Sequence, residues 1–249
     1  MSRRPFQGAL QILRYNWGFY VTGIVGLTIG LGLLVKVPWP RWLFDLGAAG
    51  LGLGAWWLLA SILVSYWIYD ASNLMEWGWL TDRVESRPGR WVNLHAGLDE
   101  SSPSLAKKWG PPLQVFDIFD PTEMTEPSIL RARNTAVNEL TPVSVSPDEL
   151  PLAAASIDLA CVLFAAHELR SHTARLSFFH EVRRVLATGG TFVVVEHLRD
   201  PANFIAFGPG FMHFMAQNEW KLLGRKAGFR LVAESRKTPF VKLLLFQKT

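Results

Sequence analysis

Two acid–imidazole pairs stand just past apolar runs of this chain. His167 and Glu168 follow the run 157–165, and Glu196 and His197 follow the run 191–195. Apolar runs of that length without polar alternation read as buried strands. In an open α/β sheet, ligand chemistry gathers beyond the carboxyl ends of the strands. An imidazole titrating near neutrality can orient or deprotonate an acceptor hydroxyl, so His167 and Glu196 are the candidate catalytic residues. The alternatives are that His167 only hydrogen-bonds a loop and that Glu196–His197 is a charge pair closing the rim. His95, His167, Glu168, Glu196 and His197 show no HExxH and no paired-cysteine spacing, so no metal is expected. Cys161, alone in the chain, lies inside the first run and reads as a small buried hydrophobe.

The elements that must position these groups follow in order. Residues 173–186 place Leu176, Phe179, Val182 and Leu186 on one helical face and set Arg175, Glu181, Arg183 and Arg184 largely opposite. Gly189 and Gly190 are expected to cap that helix. Strand, crossover helix and strand make a βαβ unit, hence a parallel sheet covered on both faces. Upstream, strands are expected at 91–95 and 113–118, a weak one at 141–146, and helices from Ser102 or Ser104 to Trp109 and over 126–138. Downstream, a helix at 218–227 ends at Gly228. Strands 230–234 and 241–246 are joined by a turn holding Pro239, and such a short link allows only an antiparallel pair.

The 249 residues carry a net charge of +4 and 11 tryptophans, and the mean hydropathy is +0.17. The apolar excess is confined to the first 80 residues. Basic residues are scattered rather than set in a stripe with aromatics, so no nucleic-acid partner is expected. Residues 17–37 and 43–68 are each long enough to span a bilayer, and together with a juxtamembrane segment they define a membrane anchor over 1–80. No small-residue cleavage site precedes the second span, which argues against a signal peptide. Gly26 with Gly30, and Gly50 with Gly54, offer four-residue spacing for close helix approach, either within the hairpin or onto a partner in a membrane complex.

Arg3, Arg4, Arg14, Arg83, Arg87 and Arg90 flank the hairpin, while Lys36 and Arg41 lie in its turn. That bias puts both termini in the cytoplasm, with the protein integral to a plasma (inner) or internal membrane. Residues 70–80 are expected either to lie in the interface or to pack on the sheet. Residues 81–90 form a linker, and the soluble domain covers 91–249. The aromatic stretch 203–215 reads as a lid or wall for an apolar acceptor, or as a docking segment.

From about residue 90 onward the chain resembles class I S-adenosylmethionine-dependent methyltransferases of the small-molecule and lipid type. The best match is Leu150-Pro151, Ser156-Ile157-Asp158-Leu159, His167, Arg184-Val185-Leu186 and Gly189-Gly190, similar to the family's "LP…sfDlv…h…RvL.pGG". The resemblance implies a Rossmann-like α/β fold, a seven-stranded sheet with an antiparallel last strand, and S-adenosylmethionine as cofactor. His95, Gly97 and Asp99 fall on the family's glycine-rich turn, where only Gly97 keeps a glycine and Asn93 replaces the usual acid. Asp117 and Ile118 fall on the strand end whose carboxylate takes the ribose hydroxyls, and Ser146 falls near the adenine. The implied function is methyl transfer to a lipophilic small molecule. The alternative is a catalytically inactive subunit of a membrane protein complex.

Overall fold

Apolar runs alternating with amphipathic stretches build the expected sheet. The computed structural model describes residues 5–84, 88–136 and 139–249. Strands β1 (Trp91–His95), β2 (Gln114–Asp117), β3 (Val143–Ser144), β4 (Ile157–Leu163), β5 (Leu186–His197), β6 (Phe229–Thr238) and β7 (Val241–Lys248) form one sheet in the order β3-β2-β1-β4-β5-β7-β6. β7 runs antiparallel between β5 and β6, while β1 to β5 pair in parallel. This is the Rossmann-like sheet that the resemblance implies, seven strands with an antiparallel end. The expected strand at 141–146 shrinks to two residues, both exposed.

Nine α-helices occur among the described residues: α1 (Gln7–Tyr15), α2 (Trp17–Lys36), α3 (Arg41–Tyr66), α4 (Gly78–Thr81), α5 (Ser102–Trp109), α6 (Pro127–Thr135), α7 (His172–Val185), α8 (Pro201–Phe207) and α9 (Gln217–Lys226). The period-2 alternation of β4 divides the core. Ala160 and Val162 face Phe178 and Phe179 of α7 and Trp220 of α9. Leu159, Cys161 and Leu163 face Trp77, Leu80 and Leu105 on the opposite side. The helix ahead of Gly189-Gly190 ends at Val185, and Leu186 already pairs with Ile157. The two glycines therefore serve the irregular start of β5 and do not cap α7. A Cβ at Gly190 would sit 2.8 Å from the Ala187 carbonyl oxygen.

α2 and α3 are long and apolar enough to cross a membrane by length and composition, and they pack on each other. The close approach uses a spacing of seven residues, not four. Gly23 and Gly30 receive Leu58 and Leu51, while Gly47 and Gly54 receive Leu34 and Leu27; Gly26 and Gly50 have nothing within 4 Å. α3 runs on into a π-helical turn, Trp67–Ala71. There Asp70 accepts from the Gly8 and Ala9 amides (2.8 and 2.9 Å) and so holds the first turn of α1, a helix that composition did not announce.

Of the two placements expected for residues 70–80, packing on the sheet is the one observed: Leu74, Trp77 and Leu80 are buried. Part of the expected linker, including Arg87, lies outside the described residues, as do Arg3, Arg4 and the tail of the helix expected at 126–138. The aromatic stretch 203–215 folds as α8 and a 3-10 helix, Gly208–His213. It docks on α3, with the Trp56 and Trp57 indole N–H groups donating to the carbonyls of Ile205 and Phe204 (3.0 and 3.1 Å).

Candidate active site

A cavity of about 470 Å³ lies between α1–α3 and the carboxyl ends of β1, β4 and β5. That volume is in the range of small-molecule sites. Its walls include Phe19 and Tyr20 from α2, Ile129 and Ala132 from α6, and Phe207 and Phe214 from the aromatic segment. The sheet side presents His95, Ala96, Leu98, Phe164, His167, Glu168 and His197. Phe164 takes a left-handed backbone (φ 55) just past β4, a conformation costly for a bulky side chain. That bend turns the chain into a 3-10 turn, Ala166–Glu168, and carries His167 to the rim.

His167 is buried between two carboxylates. Its Nδ1 lies 2.7 Å from Glu196 Oε2 and its Nε2 lies 3.3 Å from Glu168 Oε1. Its amide also donates to Glu196 Oε1 (3.3 Å). Burial alone would lower the His167 pKa, but the charges of Glu196 and Glu168 more than offset it, and the imidazole is pushed up to about 10. Glu168 moves the opposite way: burial would raise it, and the neighbouring His167 holds it well below the usual carboxylate range.

His197 differs from its neighbour. Its Nδ1 can only donate to the Phe240 carbonyl (3.0 Å), so Nε2 accepts from the Tyr69 hydroxyl (2.7 Å). Burial, reinforced by the positive His167, lowers its pKa to about 4. Two adjacent imidazoles are thus held in opposite charge states at neutral pH, His167 charged and His197 neutral.

The sequence-expected cofactor residues separate into two groups. His95, buried at the end of β1, accepts the Gly97 amide at Nδ1 (3.1 Å), so its proton sits on Nε2, a buried atom with no partner. Burial lowers its pKa, which keeps it a neutral donor beside the cavity. Gly97 takes φ 95, and a Cβ there would meet Arg133 Nη1 at 3.2 Å. Asp117 is buried at the end of β2, where it accepts the Phe119 amide and forms a salt bridge with Arg133 of α6. The Arg133 guanidinium also lies over the Phe119 ring, 4.4 Å from its centroid.

The remaining three sit elsewhere. Asp99 accepts the Ser101 and Ser102 amides (3.0 and 2.9 Å) at the start of α5 through Oδ1, so that oxygen serves the fold. Ile118 is a fully buried core residue. Ser146 is exposed and bonded to Asp148; of the six, only His95 is part of the cavity lining, with Ala96 and Leu98 on either side of Gly97.

Three residues at the site escaped the sequence reading. Arg133 and Glu126 lie in and beside α6, and His213 ends the 3-10 helix of the aromatic segment. The ring centroid of His213 is 5.0 Å from that of His167. His213 is 46 positions away in sequence, and no local spacing announces the pair.

Residues 105–194 match the family model described as "Methyltransferase domain". That stretch runs from within α5 to within β5 and starts after the β1 turn. Among solved structures, a SAM-dependent methyltransferase from Aquifex aeolicus superposes with a TM-score of 0.53 at 17% identity, covering 72% of this chain and 94% of that one. A Pyrococcus horikoshii OT3 protein gives 0.52 at 16%, covering 73% and 91%. A protein from Haloferax volcanii, solved with the Trm112 methyltransferase activator, gives 0.49 at 15%, covering 73% and 95%. No curated relative matches the sequence.

The fold is therefore that of class I S-adenosylmethionine-dependent methyltransferases, and fold and domain match together indicate S-adenosylmethionine as the cofactor. The residues present fit such a group at three points. These are the partnerless Nε2 donor of His95, the positive-φ turn at Gly97, and Asp117 as a paired acceptor for a diol, provided Arg133 yields that carboxylate.

Proposed function

We propose that this protein is a membrane-anchored S-adenosylmethionine-dependent methyltransferase acting on a lipophilic small molecule. The cavity carries the reading. One wall is the β1 turn of the methyltransferase sheet, and the opposite wall is made by helices apolar enough to lie in a bilayer. An acceptor dissolved in lipid reaches such a chamber without crossing water.

When bound, S-adenosylmethionine supplies an electrophilic methyl group. The chain does the rest. His95 donates from Nε2, and Asp117 takes a diol once Arg133 is displaced. The aromatic walls exclude water and align an apolar acceptor. His167, charged at neutral pH, stabilises an anionic acceptor oxygen by its field rather than by taking a proton. Glu196 is a positioning residue that fixes the imidazole.

The Arg133–Asp117 bridge favours a second reading, a methyltransferase fold serving as a subunit of a membrane complex with its ribose carboxylate permanently engaged. Calorimetry of S-adenosylmethionine on the full chain in detergent separates the two. The enzyme reading expects micromolar binding that is lost in Asp117→Ala. It expects binding tightened roughly tenfold or more in Arg133→Ala, since a charge-assisted bond of about 1.5–3 kcal/mol no longer competes. Absence of binding in both the parent and Arg133→Ala, by folded protein, leaves the subunit reading.

A further inference from the structure

We propose that His167, Glu168 and His213 bind a divalent cation of the zinc class at the cavity rim, with Glu126 beside it and Glu196 orienting His167. The Nε2 of His167 lies 3.3 Å from Glu168 Oε1, and the Nε2 of His213 lies 3.7 Å from the same oxygen. One ligand atom from each of the three residues falls within 4.8 Å of the others. Zinc–nitrogen and zinc–oxygen bonds of about 2.0–2.2 Å imply tetrahedral edges of about 3.3–3.6 Å, so the side chains need little adjustment to close on one ion.

Hydrogen bonding does not explain the cluster. The His213 contacts, 3.6 Å to Glu126 Oε1 and 3.7 Å to Glu168 Oε1, are too long for hydrogen bonds. Glu168 Oε2 and Glu126 Oε2 are buried without partners, although carboxylate oxygens out of water are costly to leave unsatisfied. Glu196 engages His167 Nδ1 at 2.7 Å, the carboxylate–histidine arrangement that orients a metal-ligating imidazole, and the ion takes the place of the Nε2 proton that the metal-free imidazolium carries, which is released on binding. A set of two imidazoles and a carboxylate suits zinc and leaves a position open. His167, Glu168 and His213 all line the cavity, so that position faces a ligand there, with the acceptor's oxygen as the chemical class it would take.

The competing account is a metal-free ion-pair network, with an imidazolium His167 held between Glu168 and Glu196 and with His213 and Arg170 set against Glu168 and Glu126. The test is zinc titration of the full chain in detergent, stripped with a chelator and free of cofactor, followed by calorimetry and by the ligand-field absorption of cobalt(II). The inference expects one ion per chain at micromolar Kd or tighter. It expects His213→Ala and Glu168→Gln each to weaken binding roughly tenfold or more, and Glu196→Gln to weaken it about 10–100-fold, the usual cost of losing an orienting partner. His213 is partly exposed, so His213→Ala leaves the fold intact, which its melting curve verifies. No stoichiometric uptake, or uptake indifferent to His213→Ala and Glu168→Gln, overturns the site. Cation uptake is read without cofactor, so it is independent of the methyl-transfer reading.

Discussion

His197 and His167 show how one rim sets two imidazoles apart. Both are buried, but only His167 has carboxylates on both ring nitrogens, whereas His197 has the Phe240 carbonyl and the Tyr69 hydroxyl. Asp200 and the charged His167 are the ionic groups facing His197, with Asn203 as a further hydrogen-bonding neighbour. A folded-state pKa below the unfolded value of about 6.5 means that the unfolded chain binds the proton first. His197 therefore contributes stability above pH 6.5 that is lost as pH falls through 4. In chelator-treated protein, the melting temperature should drop over that window, and the drop should shrink in His197→Gln. An acid limb of equal size in both proteins would refute the assignment. The residue types at the rim were legible in the sequence because both pairs end buried strands. The third imidazole was not, since only the folding of the aromatic segment across the sheet brings His213 to them. The Asp117–Arg133 bridge was equally hidden, because a strand-end carboxylate reads the same whether a ligand or a helix answers it.

At the scale of elements, periodicity exposed the sheet and the hairpin, but not the way the hairpin packs. Gly26 with Gly30 and Gly50 with Gly54 carry the spacing usually linked to close helix contact. A 3.6-residue helix, however, also returns to nearly the same face after seven residues, and it is Gly23/Gly30 and Gly47/Gly54 that receive leucines. Gly30→Val should therefore loosen the hairpin and lower thermal stability by about 1–3 kcal/mol, the usual cost of overpacking, while Gly26→Val should leave it nearly unchanged. Equal effects in detergent melting curves would count against this interface. α1 stayed unread for a different reason: nine residues make a marginal helix by themselves, and this one depends on Asp70, 61 and 62 positions away.

The whole molecule does not divide where composition changes. Ile68, Leu74, Trp77 and Leu80 come from the apolar N-terminal region, yet they are buried against β4, β5 and β7. Burying such side chains contributes about 1.5–3 kcal/mol each, so together they match the roughly 5–15 kcal/mol that holds a domain folded. A fragment beginning at residue 90 should aggregate or stay unfolded by circular dichroism, and one beginning at residue 68 should regain a cooperative melt. A stable 90–249 fragment would contradict this division.

α1 is tied at both ends. Asp70, at the end of the long helix, holds its start. At its finish, Arg131 of α6 donates to the Tyr15 carbonyl (2.6 Å) and Thr135 to the Tyr15 hydroxyl (3.2 Å). The helix thus works as a connecting rod between the apolar pair and α6, the element that carries Arg133 to Asp117. Asp70→Ala, which removes the hold on one end of α1, is therefore expected to be felt at α6 as well as at the apolar pair.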